Sequence, residues 1–172
     1  MPLLQDAQTQ FVLLRSCLST PKMIYSLRTT DPTSLQELWR EYDNITMGAM
    51  NSMLGTPLNR TQWAQAQLPV SLGGLGLKAA EDHAMAAYTA SLLSAQDLKE
   101  RILNLPEEDC PTHLPAALLA QLSEKQGEEA TKENLIGVAQ KAISLKIDLC
   151  KHQLLTEHIN TTGVQRDIAR LA

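Results

Sequence analysis

Aromatic side chains are scarce, two Trp, three Tyr and one Phe in 172 residues. That scarcity argues against a sheet-rich core, and Leu, Ala, Ile, Met and Val are left to fill the interior, a mixture that favours helices. Cysteine is also sparse. Cys17, Cys110 and Cys150 are too few and too scattered for a disulfide framework, and an odd count fits a reducing compartment, so we expect an intracellular protein, nuclear or cytoplasmic. No run of eighteen predominantly apolar residues passes without a charge, and no basic segment precedes an apolar run at the N-terminus, so neither a membrane span nor a signal peptide is expected. Positive charge is in deficit. Fifteen Lys and Arg stand against nineteen Asp and Glu, a formal net charge of -4, so any contact with nucleic acid must be local.

What is abundant is helical spacing. Leu4, Ala7, Phe11, Leu14 and Leu18 recur at three and four, predicting a helix that Pro21 ends, followed by a short connecting segment, KMIYSLRTT. Asp31 as N-cap and Pro32 at the first helical position announce the next helix, with Leu35, Leu38, Trp39, Tyr42, Ile45, Ala49 and Met53 on its buried stripe, Thr46 off it, and Gly55 as the stop. Asn59 or Thr61 caps a short helix anchored by Trp63. The run from Ala79 to Leu98 is again helical, rich in small residues that permit close packing. A proline-rich, acidic stretch, 103–115, is the best linker and divides the chain into units 1–105 and 106–172. The second unit holds a short helix from Ala116 and a long one from about Gly127, with Glu128, Glu129 and Glu133 near its start and Leu135, Val138, Ala142, Leu145, Leu149 and Leu154 as its seam. A last helical fragment follows Gly163 and stops without a cap, as in a truncated unit. The expected fold is all-α, an irregular bundle of about six to eight helices with one Gly-rich crossing loop between Pro69 and Lys78.

Gly74-x-Gly76-x-x-Ala79 has the form of a dinucleotide-binding fingerprint, but that chemistry needs a βαβ unit and only LPVSL reads as a strand. Gly73, Gly74 and Gly76 are therefore assigned a structural role, a close crossing with no ligand or cofactor on it. Cys110, His113, Cys150 and His152 match no zinc spacing, so no metal is expected. Glu81, Asp82 and His83 are adjacent, but neighbours on a helix point apart, and the two acids suit the helix dipole. No GxSxG or HExxH is present, and no catalytic residue is assigned. One local basic feature stands out. Lys22, Tyr25 and Arg28 lie in the acid-free stretch from Ala7 to Thr30, where an exposed Tyr beside cations would serve phosphate and base contact. The alternative is a solvated turn with Tyr25 packed inward.

Three segments in order, LLRSCLSTPKMIYSLRTTDP, LGTPLNRTQWAQAQLPVSLGGLGLKAAEDHAMAAYTASL and QRDIARLA, resemble the region that follows the catalytic domain in reverse transcriptases of LINE-like, non-LTR retroelements. The middle one is the most specific. Trp63, Gln65, Ala66, Leu68, Pro69, Gly73, Gly74, Leu75, Gly76 and Leu77 follow the recurring pattern W-x-Q-A-x-L-P-x-x-x-G-G-L-G-L. The resemblance implies a thumb-like helical segment packed beside a polymerase palm, helping to hold a template-primer of RNA or DNA. The palm's Tyr-x-Asp-Asp carboxylates are missing, Glu41-Tyr42-Asp43-Asn44 being the nearest approach, so the chain is expected to be no enzyme by itself. Its expected partners are template-primer, the absent palm, or, for a stand-alone protein-interaction module derived from such an element, another protein.

Overall fold

A computed structural model describes residues 6–104 and 114–171, and the side chains of all of these except 97 and 162–171. The expected boundary at 105/106, and Cys110 and His113, lie outside the described residues. Within them the regular structure is all helical, with no strand. Eight helices have seven residues or more: α1 (Ala7–Leu13), α2 (Thr20–Thr29), α3 (Gln36–Leu54), α4 (Arg60–Gln67), α5 (Ala80–Ser94), α6 (Gln96–Leu103), α7 (Ala116–Gln126) and α9 (Gln140–Leu171). Between the last two lies α8 (Lys132–Leu135), a single turn. Leu14–Leu18 is a π-helical turn that continues α1, and Val70–Leu72 is a 3-10 turn where the sequence suggests a strand.

Helix α5 is the centre. Its buried residues, Ala80, His83 to Ala87, Thr89 and Ala90, surround its axis rather than forming a stripe, as in a helix enclosed on all sides. One face, Ala80, Ala84 and Ala87, meets Leu27 of α2 and Trp39 of α3; another, Met85, Ala86 and Ala90, meets Leu118 and Leu122 of α7 and Ile143 and Ile147 of α9. Alanine at these positions lets the neighbouring backbones approach closely. A third cluster, Leu14, Met50 and Leu77, with Trp63 half-buried beside it, lies under the glycine loop.

Several boundaries differ from expectation for local reasons. The first helical run does stop at Leu18, but Pro21 also sits in the first turn of α2, where a missing N–H costs nothing, so the expected connecting segment is helical through Thr29. The Asp31 carboxylate accepts from the Thr33 N–H (2.9 Å) and hydroxyl, making a turn, and α3 begins only at Gln36. Gly55, at φ +67°, does end α3. A reciprocal capping box between Asn59 and Gln62 opens α4. Gly137, at φ +74°, divides the expected long helix, so Glu128 and Glu129 lie well before α9, and Glu128 accepts from Lys146 (2.6 Å). Gly163 is inside α9, not between helices.

Two buried faces are rotated from those the apolar spacing predicts. On α3 the buried set is Trp39, Asp43, Thr46 and Met50, while Leu38 and Ile45 are exposed. On α9 it is Ile143, Ser144, Ile147 and Asp148, while Leu145, Leu149 and Leu154 are exposed. In both cases a buried aspartate occupies the inner face, because its carboxylate has partners there.

Candidate nucleic-acid interface

The exposed face of α2 carries the basic stripe. Leu27 is fully buried against α3 and α5, and this fixes the helix so that positions 22, 25 and 28, three apart, face outward. Tyr42 of α3 ties down the start of α2, its hydroxyl donating to the Leu18 carbonyl (2.5 Å), while the Thr20 hydroxyl donates to the Lys78 carbonyl. Tyr25 is 77% exposed, which removes the alternative of a turn with the ring packed inward. Lys22 and Arg28 are exposed, and neither enters an ion pair among the described residues. A flat ring between two unpaired cations results.

The glycine loop has no free donors for an anion. The N–H groups of Gly73, Gly74, Leu75 and Gly76 donate to the carbonyls of Val70, Pro69, Ala66 and Leu68 at 3.1, 3.0, 3.1 and 2.8 Å, so the loop folds back onto the C-terminus of α4 and satisfies its last carbonyls. Gly73 and Gly76 have φ of +75° and +74°. Gly74 has another constraint, since a Cβ there would lie 2.1 Å from the Leu68 oxygen. Pro69 and Trp63 are half-buried at the base of this loop.

Glu81, Asp82 and His83 point to three different partners. Glu81 accepts from Arg40 (3.1 Å); Asp82 from Lys125 (2.8 Å) and Lys151 (2.7 Å); His83 Nε2 lies 3.3 Å from the Asp148 carboxylate, which Lys78 also approaches at 3.5 Å. The arrangement joins α5 to α3, α7 and α9, with no convergence on a shared point. Among the described residues no three His, Cys, Asp or Glu side chains form a metal-ligating group. No helix among them is long and apolar enough to cross a membrane.

The N-terminus of α5 is capped from another helix, which the sequence does not announce. Ala79, at the N-cap position, offers no side-chain acceptor, and Asp43 of α3 replaces it, accepting from the N–H of Ala80 (2.7 Å) and Glu81 (3.0 Å). Burial raises the Asp43 carboxyl to about 6 despite those two N–H groups. A folded-state value above the ordinary one means that Asp43 favours folding below pH ~4, and that this contribution is lost as the pH rises through about 6. Asp43→Asn should therefore flatten the decline in unfolding free energy between pH 4 and 7 by at most about 3 kcal/mol, read from urea titrations at several pH values. A decline of the same size in both proteins would contradict this.

No protein-family model matches the chain, and no curated protein or solved structure matches it significantly.

Proposed function

We propose that the chain is a non-catalytic, thumb-like helical module of a retroelement reverse transcriptase, making auxiliary contact with template and primer through Lys22, Tyr25 and Arg28 in an intracellular setting. The observation that carries this reading is the exposed stripe on α2: an aromatic ring open to stacking, flanked by two cations with no ion-pair partner among the described residues. Phosphate contact by such cations positions a strand, and ring stacking tolerates any base. The place nearest in sequence to a polymerase carboxylate pair supports the non-catalytic part, since Asp43 lies within a helix and its carboxylate is engaged by backbone N–H groups.

Fluorescence anisotropy of a labelled primer-template duplex at low salt tests the proposal. Lys22→Ala with Arg28→Ala should weaken binding about tenfold, and Tyr25→Ala by at least about fivefold, the scale of one lost stacking contact. Absence of binding by the wild-type chain would refute it.

A second reading, a helical protein-interaction module, draws on a different observation. Leu145 and Leu149 on α9 and Leu98 and Ile102 on α6 are pairs four residues apart, each side chain between 47% and 72% exposed. Apolar surface of this kind predicts self-association or capture of a partner helix. A clean monomer in sedimentation over a wide concentration range would count against it.

A further inference from the structure

Beside the stripe, an open groove of about 660 Å³ runs between the start of α2, the end of the glycine loop and the start of α9. Three cations line it: Arg15 from the π turn, Lys78 from the loop and Lys141 from the first turn of α9. Among the described residues no carboxylate does. Lys78 shares its charge with the buried Asp148 at 3.5 Å, but Arg15 and Lys141 are exposed and have no ion pair among the described residues. Gly76 keeps the space beside Arg15 open, since a Cβ there would lie 3.0 Å from the guanidinium Nε.

Ser144 is the second, independent sign of a ligand. It lines the same groove, is only 5% exposed, and its hydroxyl makes no hydrogen bond among the described residues. Its oxygen still reaches solvent, so it is free to donate to a ligand in the groove. At the start of α9 the Ala142 and Ile143 N–H groups donate to the Ala139 carbonyl, which leaves those of Gln140 and Lys141, two groove-lining residues, without a backbone acceptor among the described residues. Unpaired cations and unused donors, with acids absent, select an oxyanion; Pro21 and Ile24 add an apolar wall suited to a sugar face.

We propose that this groove holds a backbone phosphate of the same nucleic-acid strand that lies on the α2 stripe, with Arg15 and Lys141 as its counter-charges and Ser144 as a hydrogen-bond donor. The inference rests on the nucleic-acid reading above and adds the path of the strand. Four residues of helix, about 6 Å, separate Pro21 at the groove from Tyr25 on the stripe, so one strand can meet both.

The test uses the full chain and the labelled primer-template duplex, comparing wild type, Arg15→Ala with Lys141→Ala, and Lys22→Ala with Arg28→Ala. The groove pair should weaken binding about tenfold and reduce the slope of log affinity against log salt by about 1.5, for two lost phosphate contacts. Ser144→Ala should weaken it about threefold. Arg15→Lys with Lys141→Arg should restore most of the affinity, and unchanged thermal midpoints would exclude misfolding; if the alanine pair misfolds, the glutamine pair replaces it. Equal binding by the groove pair and wild type would overturn the groove assignment while leaving the stripe reading intact. A parallel titration with inorganic phosphate, followed by amide shifts at Lys141 and Ser144, separates the two sources of phosphate. Shifts from inorganic phosphate with no duplex binding would mark a free-phosphate site and overturn the strand assignment together with the nucleic-acid reading.

Discussion

Replacing Gly74 by alanine is expected to lower the unfolding free energy by about 3–5 kcal/mol, the range reached only by substitutions that force backbone to move. The added Cβ would lie 2.1 Å from the Leu68 carbonyl oxygen and 2.5 Å from its carbon. Both are main-chain atoms, so no rotamer change relieves the overlap. The loop must open, and then the Leu75 and Gly76 N–H groups leave the Ala66 and Leu68 carbonyls and Leu77 leaves the cluster it shares with Leu14 and Met50. Gly48 supplies the control. It lies inside α3 with nothing within 4 Å of a Cβ, and Gly48→Ala should stabilise the protein by roughly 0.5–1 kcal/mol through the higher helix propensity of alanine. Gly73→Ala should fall between, costing about 1 kcal/mol for a left-handed φ with open space around it. Urea denaturation of the three variants measures the order. A Gly74→Ala protein as stable as Gly73→Ala would contradict this account of the loop.

Asp82→Ala is expected to cost about 2–3 kcal/mol at pH 7, because it removes the shared counter-charge of two lysines whose side chains are each about three-quarters buried. Those lysines come from different helices, Lys125 from α7 and Lys151 from α9, so Asp82 ties α5 to both. Burial alone would raise the Asp82 carboxyl, but Lys151 and Lys125 outweigh it and hold it well below the usual carboxylate range. With the folded-state value depressed, the contribution of Asp82 is present above pH ~4 and lost as the pH falls below that. The wild-type and Asp82→Ala unfolding curves should therefore converge under acid conditions. Adding Lys151→Met to Asp82→Ala should recover part of the loss, since it removes one of the unpaired charges. Persistence of the full difference at pH 3 would argue against the pairing.

Helix content was legible where apolar spacing, caps and small residues agreed, as in α4 with its Asn59 cap and α5 with its alanines. The segment after Pro21 was misread as a connection, because proline reads as a terminator while also fitting the first turn of a new helix. The rotated faces of α3 and α9 have a common cause. A pattern reader places aspartate outside, yet Asp43 and Asp148 are inside because the α5 N-terminus, His83 and Lys78 meet them there, and those partners are 35 residues or more away in sequence. The only local sign was the position of each aspartate near a buried apolar residue, Asp43 one turn after Trp39 and Asp148 directly after Ile147. In the candidate interface, Lys22, Tyr25 and Arg28 were visible as an acid-free stretch, but their common outward face required the helix. The groove was not legible at all, since Arg15, Lys78, Lys141 and Ser144 come from segments that only the fold brings together.

The salt dependence of duplex binding tests the nucleic-acid reading most directly. Anisotropy of a labelled primer-template duplex with the wild-type chain, taken from 25 to 200 mM salt (an illustrative range), should give log affinity falling linearly with log salt with a slope of about -3 to -4, for the Lys22, Arg28, Arg15 and Lys141 contacts together. A slope near zero, or no binding at the lowest salt, would contradict it.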